Sequence, residues 1–259
     1  MTPTNLFGKS IKPQPSSYSL NLNITQKLLA SNLPLSFDST VEWPDCIHAT
    51  RNQGSCGSCY AFAASGMMSD RLCIKSNGQI NLVLSPQELV SCDYQNYGCS
   101  GGWMTNTLYY LMSYGIPSET CLPYDMFNSE TKACSGRCDS PNYEYTRHKC
   151  KKGTSKIMSD PETIMRDIME NGPSIVAFQA FEDFLNFGGG IYKYTSGKFL
   201  VGHATKLTGW GLDSAGRLYW IGQNQFGLGW GGRGDYGFYK IYDGEVGFGS
   251  AVWSCIPDV

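Results

Sequence analysis

Residues 53–62 read QGSCGSCYAF, two cysteines three positions apart in a stretch without charge. Cysteines so spaced serve as a redox dithiol, half of a zinc site, a disulfide anchor, or a nucleophile beside its anchor. Phe62, Ala63, Met67 and Leu72 follow at helical spacing, which predicts a helix with Cys59 at its start and Cys56 in the preceding loop. The positive end of a helix dipole favours a thiolate at Cys59. A redox dithiol normally follows a strand, and ATRNQG is a poor one; a 56–59 bond would also leave nine other cysteines. Zinc lacks a second pair at ligand spacing, since six residues separate Cys92 from Cys99, and no histidine lies near. A thiolate nucleophile needs a base, and the base an orienting group. The chain has three histidines: His48 in CIHAT, His148 in the polar TRHKC, and His203 in VGHATKLTGWG, at the mouth of a predicted strand. Small residues flank His203 and allow another segment to approach. Asn224 follows between a strand and a Gly-rich turn.

These residues must be positioned by elements far apart in the chain. Besides the helix from 59 to about 75, Ser85-Pro86-Gln87-Glu88 reads as a capping box opening a short helix. A third helix is expected over 103–114, closed by Gly115, and a fourth from Asp160-Pro161-Glu162 to Gly172. Strands are expected at 175–178, 204–210, 218–222 and 236–241. A helical first half and a strand-rich second half predict an α+β fold of two unlike lobes with a cleft between them. The chain's 259 residues suffice for that core. Eleven cysteines point to an oxidising compartment, and the odd count leaves one thiol over after complete pairing. Net charge is −2, and the densest basic stretch is Arg147, Lys149, Lys151 and Lys152, so a nucleic-acid partner is not expected. No apolar run reaches the roughly 20 residues of a membrane span. Nothing calls for a metal or organic cofactor. Residues 1–32 are rich in Pro, Ser, Asn, Thr and Leu, with nothing periodic except a possible helical turn near Gln26–Ala30. Met1–Leu20 has no apolar signal core, so an upstream presequence is expected if the chain is secreted. FGKS at 7–10 ends like a phosphate loop, but Pro3 stands where the first glycine belongs. Asn23-Ile24-Thr25 is a glycosylation sequon.

Cys56-Gly57-Ser58-Cys59-Tyr60, with His203 144 residues and Asn224 165 residues beyond Cys59, resembles the papain family of cysteine proteases and within it the cathepsin B branch. LPLSFDSTVEWP, CSGGW, NGPSIVAF, GHATKLTGWG and GWGGRGDYGFYKI follow in family order from about Leu33 to Val259. The resemblance implies a papain-like fold, with a helical lobe mainly in 47–150 and a β-barrel-like lobe mainly in 151–259, together making a protease domain over 33–259. It implies a cysteine-type endopeptidase: Cys59 the nucleophile, His203 its acid and base, Asn224 the orienter of His203, and Gln53 with the Cys59 N–H the oxyanion donors. A thioester acyl-enzyme is then the intermediate. Gly101 and Gly102 match the cleft wall along which substrate backbone lies, and Ala251, Trp230 and Phe226 match further substrate-binding positions. It also implies the bridges Cys46–Cys73, Cys56–Cys99, Cys92–Cys134, Cys121–Cys138 and Cys150–Cys255, with Cys59 free.

The chain departs from the family pattern in several places. Only LPYDMFNSETKA separates Cys121 from Cys134, without histidine, so the occluding loop of cathepsin B is missing and an open cleft is expected. Tyr60 and Phe226 stand where tryptophan is common. Ala251 aligns with the acidic floor of the second specificity pocket, which predicts apolar preference there. Residues 1–32 resemble only the tail of the family's inhibitory prosegment, a short leader or propeptide remnant, so the expected partners are protein and peptide substrates and, if LFGKS crosses the cleft, the chain's own leader. A monomer is expected, in a secreted or lysosome- or vacuole-like compartment. The rival reading is an inactive relative serving as a binding or adhesion module; retention of Cys59, His203, Asn224 and Gln53 together argues against it.

Overall fold

The computed structural model describes residues 19–125, 131–231 and 236–259. FGKS lies outside them, as do the side chain of Asn23 and part of the 121–134 segment. The helices are α1 (Ser19–Ala30), α2 (Ser39–Glu42), α3 (Cys59–Lys75), α4 (Pro86–Cys92), α5 (Met104–Ser113), α6 (Pro161–Asn171) and α7 (Glu182–Leu185). The strands are β1 (Phe37–Asp38), β2 (Lys156–Met158), β3 (Ser174–Phe181), β4 (Ile191–Tyr192), β5 (Phe199–Leu212), β6 (Leu218–Gln223), β7 (Phe238–Tyr242) and β8 (Val252–Ser254).

Helix α3 organises the first lobe. Thirteen of its seventeen residues are buried, among them Met67, Met68 and Leu72, so it is covered on nearly every side. Each such apolar side chain contributes about 1.5–3 kcal/mol when fully buried. Helices α4 and α5 pack against it around Leu84, Leu89, Leu108 and Leu111. At α4 the Ser85 hydroxyl accepts the Gln87 N–H at 3.1 Å and Pro86 fills the first position. The second half of the expected capping box does not form. Glu88 is buried and instead accepts from Tyr110 (2.8 Å), Tyr145 (2.6 Å) and Arg147 (2.9 Å), because a buried carboxylate gains more from a cation and two hydroxyls than from one amide.

The second lobe is an eight-stranded sheet in the order β2-β8-β3-β5-β6-β7-β4, with β1 added onto β5. Pairing is antiparallel throughout, save the parallel β4–β7 pair. The two ends, β2 and β4, do not pair. The α+β, two-lobed expectation holds, but the expected barrel-like lobe is an open sheet. Its core includes Trp210, Trp220, Phe178 and Ile241, and α6 covers it with Ile164, Met165 and Ile168. Asp160 caps α6 by accepting the Thr163 N–H at 2.9 Å. Gly172 ends it at φ +93°, where a Cβ would meet Ile74 Cδ1 at 2.5 Å, so both backbone and packing call for glycine. Helix α1 joins the same lobe through Leu28, and Arg166 donates to the Ser31 carbonyl at 2.7 Å.

The lobes are clasped by Arg71 of α3. Its guanidinium donates to the carbonyls of Pro173 (2.6 Å), Cys255 (3.1 Å) and Gly172 (3.0 Å), to Ser174 Oγ (2.9 Å) and to Asp167 (2.5 Å). At the preceding position of α3, Asp70 pairs with Lys206 of β5.

Candidate active site

Cys59 is the first residue of α3, partly exposed, and the only cysteine outside a bridge. The structure joins Cys46 to Cys73, Cys56 to Cys99, Cys92 to Cys134, Cys121 to Cys138 and Cys150 to Cys255. The N-cap residue Ser58 does not cap; its hydroxyl lies 2.8 Å from Tyr124 Oη. The first amides of the helix therefore remain open toward the thiol. Burial pushes the Cys59 thiol up, and hydrogen bonds from the backbone amides of Ala204, Tyr60 and Cys59 itself pull it down. The Ala204 contact joins the lobes at the neighbour of His203.

His203 lies in the middle of β5, buried, with Nε2 2.8 Å from Asn224 Oδ1. Phe226 stacks on its ring at 5.0 Å between centroids, and Phe178, its partner in the β3–β5 register, meets it edge-on at 5.6 Å. Burial pushes the imidazole down to about 4, opposed by the Asn224 hydrogen bond. Asn224 follows β6 and is fixed by its N–H to the Gly237 carbonyl (2.9 Å). Its Oδ1 also accepts the Gln225 N–H (3.0 Å), while its buried Nδ2 has no partner.

Gln53 is held next to this pair. Its N–H donates to the Gln225 carbonyl (2.9 Å), its carbonyl accepts from Tyr124 Oη (2.8 Å), and its Nε2 donates one proton to the Cys56 carbonyl (2.8 Å). The second Nε2 proton remains available. The Cys56–Cys99 bridge anchors this loop, and Gly57 donates to the Cys99 carbonyl at 2.8 Å, where a Cβ would stand 2.6 Å from that oxygen. Gly101 has φ +109° with open space around its Cβ position, so its requirement is backbone conformation rather than room. A Cβ at Gly102 would meet Asn96 Cγ and the Tyr60 ring at 2.8 Å; here the crowding comes from the protein itself.

Cys59, His203, Asn224 and Gln53 are thus brought together. Trp230 joins through Phe226, edge-on at 5.6 Å, and donates to the Leu185 carbonyl at 3.0 Å. Ala251 is partly exposed just before β8, with no polar link to the others. The other histidines are elsewhere: His48 binds Asp70 and Asn81, and His148 pairs backbone with Ile116. Two site residues had no signal of their own in the sequence. Tyr124 bridges Ser58 and Gln53, and Gln225 donates to the Ala204 carbonyl (2.9 Å) with its amide 3.4 Å from His203 Nε2. Among the described residues no cluster of three or more His, Cys, Asp or Glu is suited to a metal, and no helix is long and apolar enough to cross a membrane.

The model of the papain family of cysteine proteases matches residues 33–254. A gut-specific cysteine proteinase of Caenorhabditis elegans is 37% identical over 250 residues, covering 88% of this chain and 74% of the relative. Cathepsin B of Dictyostelium discoideum is 36% identical over 245 residues, covering 88% and 76%. Among solved structures, procathepsin B S9 from Trypanosoma congolense superposes with a TM-score of 0.81 at 28% identity, covering 90% of this chain and 81% of that one.

Proposed function

This chain belongs to the papain family of cysteine proteases, and we propose that it is an endopeptidase that cuts proteins through Cys59 and His203. One observation carries the assignment. The single unbridged thiol sits at a helix start against the amide beside a buried histidine, whose Nε2 is already committed to Asn224.

That commitment leaves Nδ1 for proton exchange with the thiol. Taken singly, burial holds both groups neutral. Moving the proton from sulfur to Nδ1 creates an adjacent ion pair, whose attraction in a site of low dielectric offsets the burial of both charges. Three amides and the helix dipole favour the sulfur anion, and Asn224 favours the imidazolium. The thiolate adds to the scissile carbonyl carbon. The oxyanion takes hydrogen bonds from the Cys59 N–H and the free proton of Gln53 Nε2. His203 gives its proton to the leaving amine as the C–N bond breaks, which leaves a thioester. A water then loses a proton to His203 and adds to the thioester, and the released thiolate restores the pair.

The short segment between Cys121 and Cys134 supports an open cleft and internal cleavage. Ala251 supports an apolar second pocket. Residues 33–259 form the protease domain, and 1–32 a leader whose α1 part packs on the sheet lobe through Leu28. Five bridges suit an oxidising compartment, and we place the enzyme in a secreted or lysosome-like one. A peptide epoxide directed at thiols should label Cys59 with one equivalent and abolish casein digestion. Folded protein that neither labels nor digests would instead support the inactive binding module, and digestion by Cys59→Ala would remove the nucleophile assignment.

A further inference from the structure

A cavity of about 40 Å³ lies between α3, residues 48–51 and the segment after β6, directly behind Asn224 and Gln225. By the space one water occupies, it has room for about three waters, or a halide with a water. His48, Arg51 and Lys206 line it, and no carboxylate does. Arg51 Nη1 and Asn224 Nδ2 are both buried donors without a partner, and both residues line this cavity. Donors so placed are costly unless an acceptor reaches them.

The charges agree with an acceptor that is an anion. Arg51 meets Glu119 through Nη2, and Lys206 meets Asp70. His48 Nδ1 faces the same Asp70 carboxylate at 2.8 Å, and its Nε2 faces Asn81 Oδ1 at 2.9 Å. Asn81 Nδ2 donates to the Asp45 carbonyl at 2.9 Å, so Oδ1 is the atom turned toward the ring. Arg51 and Lys206 thus bring positive charge to the lining, while Glu119 and Asp70, their partners, are not part of it.

We propose that this cavity is a binding site for a small monovalent anion of the halide class. The anion accepts from Asn224 Nδ2 and Arg51 Nη1 and holds the Asn224 amide with Oδ1 on His203. Its coupling to catalysis rests on the role given to Asn224 above; the binding itself does not.

The test uses the active, full-length enzyme. Bromide soaked into crystals should give an anomalous peak beside Asn224 Nδ2 and Arg51 Nη1. At constant ionic strength, kcat/KM should be about 10-fold higher in chloride than in gluconate, which is too large to enter, a size typical of coupled sites. Gly66 lines the cavity, and a Cβ there would meet only Lys206 Cδ at 3.7 Å. Gly66→Glu therefore supplies a tethered carboxylate and should remove the halide dependence. No peak, or one only at molar bromide with no chloride effect on melting temperature, overturns the site. A peak with equal activity in both salts overturns the coupling to Asn224. If no peptidase activity is found at all, the functional reading fails, while the bromide peak and the melting temperature still decide the site.

Discussion

Replacing Asp167 by Asn should weaken the clasp between the lobes and flatten the acid limb of stability. Asp167 accepts from Arg71 (2.5 Å), Lys156 (3.0 Å), Asn171 (3.2 Å) and Ser174 (3.2 Å). Burial, the largest single influence, raises its pKa, but the charge and hydrogen bond of Arg71 together with hydrogen bonds from Lys156 and Ser254 outweigh it and hold it at about 2, against an ordinary 3.8. That difference corresponds to about 2 kcal/mol of stability. Because the folded-state value is depressed, the contribution is complete above about pH 4 and disappears as pH falls through about 2. At neutral pH the substitution has a larger effect. Arg71 keeps its carbonyl partners but becomes a buried cation without a countercharge, which costs about 3–5 kcal/mol. The assay is urea unfolding from pH 7 to pH 2 in a Cys59→Ala background, which prevents self-digestion. A loss below about 1 kcal/mol at pH 7 would refute the reasoning. So would an acid limb in Asp167→Asn as steep as that of the parent, because the titrating group would then lie elsewhere.

Three further outcomes can be checked separately. Tyr124→Phe removes the hydroxyl that bridges Ser58 and Gln53 and should lower kcat with KM little changed, by less than the roughly 10²–10³ expected for losing an oxyanion donor outright; unchanged kcat would remove Tyr124 from the positioning of Gln53. Capping Cys59 with a neutral methylthio group deprives His203 of its anionic partner, so NMR should find the imidazole neutral above about pH 4, as burial dictates, and a titration above pH 6 would contradict this. Gly102→Ala should destabilise by about 1–3 kcal/mol, since its Cβ would press on Asn96 and the Tyr60 ring, and a variant as stable as the parent would show that the wall yields.

Much of this was legible from the sequence, and for local reasons. A helix start is written in adjacent residues, so the helix at Cys59, the Asp160 cap and the Gly172 stop could be read directly. Period and turn residues separated a helical half from a strand half. Reading was weakest where partners come from distant segments. Ser85 to Glu88 matches a capping box, yet Glu88 turns to Tyr145 and Arg147, more than fifty residues away. Tyr124 lies in a stretch with no periodicity and acts through a single hydroxyl. Gln225 is an ordinary neighbour of Asn224 until folding sets its amide on the Ala204 carbonyl. The papain-like pattern suggested a barrel, but a barrel closes only if the end strands meet, and periodicity along one strand says nothing about that.

The seam between the lobes is partly apolar, with Ile175 and Ala204 of the sheet packed into the core around α3, yet it also carries buried charges that apolar residues of equal volume would replace without loss of tightness. What charged groups add is registry. Cys59 and Asp70 are eleven positions apart on α3, close to three full turns, so they face the same way. Ala204 and Lys206 are two apart on β5 and share a strand face. The thiol meets the Ala204 amide and the Asp70 carboxylate meets Lys206, so helix and strand are pinned at two points. One point would set a distance and leave the crossing angle free; two set both. Sliding along an apolar seam changes little energy, whereas sliding here strands a buried carboxylate and a buried ammonium together. His203 is next to the first pin, so the geometry of proton exchange depends on the second. Asp70→Asn should therefore disturb catalysis from three helical turns away: kcat falls while the Cys59 helix remains folded by circular dichroism, and a variant with normal kcat would leave the pair a purely structural contact.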